Sequence, residues 1–186
     1  MQARSHQPLV GPCVWKGAEL QRSTEWLRRF EAHELAEIDA ALAQVKRGGL
    51  EAPDITREDF PLPTFARELA KISTQLESGR GMITLRGLPL TYSEDDLRTV
   101  YWGIGTHLGT PLSQNAAGEL LGIVKDFGPV ANTRRRGSKT ADGLEFHSDR
   151  CDVVGLLCVR MARSGGASRI LSAAAHHNEV LRRRPD

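Results

Sequence analysis

The spacing of apolar residues changes near residue 110, and that change limits the folds open to the chain. Before it, apolar side chains recur at helical intervals. Leu27, Phe30, Ile38, Leu42 and Val45 form one set, Phe65, Leu69, Ile72 and Leu76 a second, and Leu97, Val100, Tyr101 and Ile104 a third. After it come short apolar runs, at 120–125, 153–159 and 168–172, which read as strands. Helices followed by strands predict an α+β fold with an antiparallel sheet.

Local signals set the expected boundaries. Residues 1–22 carry Pro8, Gly11, Pro12 and Gly17 and read as an extended arm with room for one short strand. A first helix is expected from Ser23 or Thr24, either of which can cap it, to the Gly48-Gly49 stop. A second runs from about Thr64 to Ser78, and a short strand follows at 82–85. Ser93 with Asp96 opens a third helix by a capping-box pattern, and a last helix begins near Ala174. The reading is one domain in two parts: residues 1–80, an arm with helices, and residues 81–186, which carry the strands.

Composition excludes several classes. Basic side chains number 25 and acidic ones 23, so the net charge is only +2 and a dedicated nucleic-acid binder is disfavoured. Three scattered cysteines give neither a disulfide framework nor a zinc pattern, which points to a reducing compartment. No run approaches the roughly 18 apolar residues of a membrane span, and the first residues lack a signal peptide's apolar core. The expectation is a cytoplasmic protein with a small-molecule substrate, no nucleic-acid or membrane partner, and homo-oligomerisation left open.

One motif carries chemistry. Glu145-Phe-His-Ser-Asp149 lies between a loop at 128–145 and the apolar run at 153–159. In extended backbone, residues two apart project to one side, so His147 and Asp149 could chelate one ion. An imidazole and a carboxylate are two parts of the two-histidine, one-carboxylate triad that binds Fe(II) and leaves positions open. The spacing alone also fits a surface His and Asp flanking a strand.

The surrounding order of motifs narrows the choice. Gly81-Met-Ile-Thr-Leu-Arg-Gly-Leu-Pro89 is followed by Gly105-Thr-His-Leu-Gly-Thr-Pro111, Gln114-Asn115 and Gly118-Glu-Leu-Leu-Gly122. Phe146-His-Ser-Asp149, Gly165-Gly-Ala-Ser168 and Asn178-Glu-Val-Leu181 come next. In this arrangement the segment 82–186 resembles the TauD/TfdA family of Fe(II)/2-oxoglutarate-dependent dioxygenases. The resemblance implies a double-stranded β-helix (jelly roll) with N-terminal helices, here incomplete. It implies Fe(II) as cofactor, 2-oxoglutarate and O2 as co-substrates, and hydroxylation of a small organic molecule. His147 and Asp149 then look like the first two metal ligands. Ser168 stands where the family often has a threonine whose hydroxyl touches the 2-oxoglutarate carboxylate. Gln114 and Asn115 fall near positions that approach substrate or co-substrate, although amides ahead of Gly118 equally fit a plain turn.

The family pattern also requires a second histidine and an arginine farther downstream. His176 and His177 read as first-turn polar residues of the last helix, and Arg182, Arg183 and Arg184 as its solvated end. The expectation is therefore an N-terminal fragment with an open sheet edge and little activity of its own. Two other readings stay open: a different metal on the same site, and a catalytically dead chain serving as a binding or assembly module. Arg134, Arg135, Arg136 and Lys139 form a basic run that suits a solvated loop, or a lid attracting an anionic substrate.

Overall fold

The structure, a computed structural model, describes residues 7–124 and 145–184. The basic run at 134–139 lies outside them. Its elements in order are α1 (Gly17–Leu20), β1 (Leu27–Arg29), α2 (Ala32–Gly48), α3 (Phe65–Ser78), β2 (Thr84–Arg86), α4 (Glu94–Thr106) and α5 (Ala173–Arg183).

The core is helical. Ile38, Ala41, Leu42 and Val45 of α2 meet Phe65, Leu69 and Ile72 of α3 and Val100 and Trp102 of α4. The connection from α2 to α3 adds Ile55, Phe60 and Leu62. Phe60 lies so close to α4 that a Cβ at Gly103 would sit 2.3 Å from its ring. Trp102 donates its indole N–H to the Ile55 carbonyl at 2.9 Å, which satisfies the one polar atom it buries.

Helix α3 begins after Thr64, as its pattern predicts, but a carboxylate from α2 caps it. Glu37 accepts the backbone N–H groups of Thr64 and Phe65 at 3.0 Å each. Helix α4 begins as expected, with Ser93 Oγ accepting from Asp96 N at 3.1 Å.

Four expectations are corrected. Helix α2 starts at Ala32, not at Ser23 or Thr24, because Leu27, Arg28 and Arg29 form a strand. That strand pairs in parallel with β2, in the register Leu27 with Thr84 and Arg29 with Arg86, so the sheet is not antiparallel. Helices α2 and α3 supply the crossover that a parallel pair needs. The arm forms the short helix α1 in place of a strand.

The fourth correction concerns 120–124, 153–159 and 168–172, none of which is a strand. A strand exists only through hydrogen bonds exchanged with a neighbour, and β propensity supplies none by itself. Among the described residues, β1 and β2 are the whole sheet, and a double-stranded β-helix is not formed. Leu120 and Leu121 pack against the core, but other apolar side chains of these runs are open: Leu156 is 75% exposed, and Val153, Val154, Ile170 and Leu171 are exposed as well.

Candidate metal centre

His147 and Asp149 lie in irregular backbone rather than at a strand end. The imidazole nevertheless has a defined orientation, since Nδ1 is 2.8 Å from the Glu145 carbonyl. A carbonyl can only accept, so Nδ1 carries a proton, and in a neutral ring held this way the lone pair is on Nε2. That is the form in which a histidine ligates a metal, with its other nitrogen held by a carbonyl. Asp149 is exposed, and among the described residues no ion pair engages its carboxylate. One nitrogen and one carboxylate donor suit a divalent transition metal such as Fe(II). Among the described residues no group of three or more His, Cys, Asp or Glu converges on a common point. The pair therefore offers a divalent metal two donors among the described residues.

Helix α4 supports the chain just beyond the pair. The Tyr101 hydroxyl comes so near Gly155 that a Cβ there would lie 2.6 Å from it. Burial pushes the Tyr101 phenol above its ordinary range, in keeping with a covered, neutral side chain. Arg160 reaches towards Glu94, at the start of the same helix, at 3.7 Å.

Ser168 is exposed, and its hydroxyl has no hydrogen bond among the described residues, so it is free to meet a ligand. Its neighbour Arg169 places its guanidinium carbon 5.6 Å from the centre of the Phe146 ring. Through that contact the segment after the Gly165-Gly166 turn lies beside the residue preceding His147. Both glycines have left-handed φ, 72° and 70°, which a side chain would oppose.

Gln114 and Asn115 bond within their own turn. Asn115 Oδ1 accepts from Ala117 N at 2.9 Å and its amide donates to Glu119, while Gln114 Nε2 donates to the Leu112 carbonyl at 2.9 Å. His176 and His177 are exposed in the first turns of α5. Arg182 and Arg183 both bond Glu179 on that helix.

The Arg169–Phe146 contact escaped the reading of the sequence; its only signal was an aromatic before the histidine and a cation after the serine. His107, whose place near the end of the third expected helix suits a capping or core histidine, is the C-cap of α4. Its Nε2 donates to the Phe60 carbonyl at 2.8 Å, while its buried Nδ1 has no partner among the described residues. A cleft of about 200 Å³ near the arm, lined by Trp15, Leu20, Trp26 and Ile170, includes none of the candidate ligands.

Residues 46–186 match the taurine catabolism dioxygenase TauD, TfdA family, and the chain belongs to that family. It is 32% identical over 185 residues to the FR-33289 synthase of Streptomyces rubellomurinus, an alignment covering 97% of this chain and 54% of that protein. It is 27% identical over 185 residues to the taurine hydroxylase-like protein SAT17 of Stachybotrys chartarum, covering 93% of this chain and 47% of that one. The chain thus spans about half the length of the curated relatives it matches.

Proposed function

We propose that this chain provides part of an Fe(II)/2-oxoglutarate-dependent dioxygenase that hydroxylates a small organic substrate. The observation that carries the reading is the His147 imidazole, held through Nδ1 by the Glu145 carbonyl two residues before Asp149. His147 Nε2 and the Asp149 carboxylate would hold the metal. When bound, Fe(II) with 2-oxoglutarate would supply the oxidising power for attack on an aliphatic carbon. The protein's own part is orientation. Glu145 sets the imidazole tautomer, and the Ser168 hydroxyl donates to a co-substrate carboxylate. Gln114 and Asn115 stand at the turn that approaches the substrate. A double-stranded β-helix is the fold in which such a site would be completed, and a cytoplasmic location suits the ferrous ion and the free thiols.

Two ligands hold a metal weakly, so the chain alone is expected to show little turnover. Anaerobic Fe(II) with 2-oxoglutarate should give a weak visible charge-transfer band that Ser168→Ala diminishes and Asp149→Ala abolishes. A band unchanged in both variants would contradict the assignment.

A second reading, a binding or assembly role without turnover, is favoured by the exposed apolar side chains of 153–161 and 170–171. It predicts self-association or partner dependence in size-exclusion chromatography, with no band under any condition.

A further inference from the structure

We infer that Arg169 is a positioning residue for the His147 imidazole, acting through Phe146; this rests on the reading of His147 and Asp149 as a metal-binding pair. Three observations lead there. The Arg169 guanidinium lies over the Phe146 ring, 5.6 Å from its centre, the arrangement in which a cation is drawn to the aromatic face. Phe146 stands between Glu145, whose carbonyl fixes the tautomer, and His147 itself, so a restraint on its ring restrains the backbone of all three residues. The segment bearing Arg169 is anchored independently. Ser172 is buried, donates to the Cys13 carbonyl at 2.5 Å and accepts from Ala175 N at 2.9 Å at the start of α5.

The contact therefore ties an anchored segment to a motif that has no strand partner among the described residues. Arginine suits the task better than lysine, because its planar guanidinium can lie flat on a ring while its N–H groups stay solvated. Phe146 is 60% exposed, so the contact works near water and its effect is modest.

The test uses the full 186-residue chain with Arg169→Met, Arg169→Lys, Phe146→Leu and the Arg169→Met/Phe146→Leu double variant. These side chains are exposed, so the helical core should be undisturbed in each. The first readout needs no metal: 15N–1H correlation spectra of the imidazoles, at one fixed pH where His147 is neutral, give its tautomer ratio. The expected result is a mainly Nδ1–H imidazole in the parent chain. Arg169→Met and Phe146→Leu should each shift the ratio about two- to fivefold towards Nε2–H. The double variant should go no further than either single change, and Arg169→Lys should recover part of the loss.

The second readout is Co(II) affinity from its visible spectrum, which should fall by a similar factor in the same variants. A tautomer ratio unchanged in Arg169→Met would overturn the inference, as would single effects that simply multiply in the double variant. If the parent chain takes up no Co(II) while the tautomer coupling persists, the metal reading fails and the positioning role stands.

Discussion

Glu34 illustrates how a single buried charge is made tolerable. Its side chain is 1% exposed, and Arg28 of β1 meets it with both terminal nitrogens while Glu31 N donates at 2.9 Å. Burial works to raise its pKa, but the Arg28 hydrogen bonds, with Glu31 N–H and the Arg28 charge, hold the carboxyl below its ordinary range. Truncation strands the guanidinium in a part-buried site, so Glu34→Ala should lose about 3 kcal/mol in chemical denaturation. Gly103 makes the opposite kind of demand. Alanine there would favour the helix by roughly 1 kcal/mol in propensity, yet it collides with the Phe60 ring. Gly103→Ala should therefore destabilise by about 1–3 kcal/mol, measured as a shift in denaturation midpoint at constant m-value. Tyr92 gives a pH signature. Burial, then its hydrogen bond to Asp39, pushes the phenol up to about 12 from an ordinary 10.0. The folded state thus favours the neutral form. Its contribution is complete below pH 10 and is lost as pH rises from 10 towards 12. Tyr92→Phe should flatten that alkaline loss in a pH series of unfolding midpoints.

At the scale of elements, those that were legible from the sequence carry their instructions locally. Helices α3 and α4 each carry an apolar stripe, to which Ser93 adds a local cap for α4, and both begin within a residue of where the sequence puts them. The start of α2 was not legible, because Leu27 and Phe30 fit a helical stripe equally well. Pairing with Thr84, Leu85 and Arg86, far along the chain, makes that segment a strand. The run at 153–159 fails for the complementary reason: its β-branched residues suit a strand, but no neighbour among the described residues exchanges hydrogen bonds with it. Helix α5 is held by its ends. Ser172 caps it, and Arg182 and Arg183 bond Glu179, whose carboxyl is pushed down to about 2 from 4.5 by those two hydrogen-bonded guanidinium groups. This contribution is present above pH 4.5 and fades as pH falls towards 2. Carbon chemical shifts of residues 173–183 should show α5 loosening over that interval in the parent chain, and little such dependence in Glu179→Gln.

At the scale of the whole molecule, the residues divide into a helical core and a candidate site outside it. The twelve residues of the buried cluster all lie between Ile38 and Trp102, whereas His147, Asp149 and Ser168 are exposed. The candidate ligands were picked out by residue type and spacing within an ordered set of motifs. The contacts around them were not legible, because they join distant segments: Tyr101 under Gly155, Arg169 on Phe146, Ser172 on the Cys13 carbonyl. The chain belongs to the TauD, TfdA family and spans about half the length of each curated relative it matches. The most direct test of the metal assignment is titration of the 186-residue chain with Co(II) under anaerobic conditions, followed by its visible spectrum. The account predicts weak, saturable one-to-one binding that His147→Ala and Asp149→Ala each weaken by about tenfold or more, while the His176→Ala/His177→Ala double variant binds as the parent does. Binding that survives loss of His147 and Asp149, or that disappears with His176 and His177 instead, would contradict it.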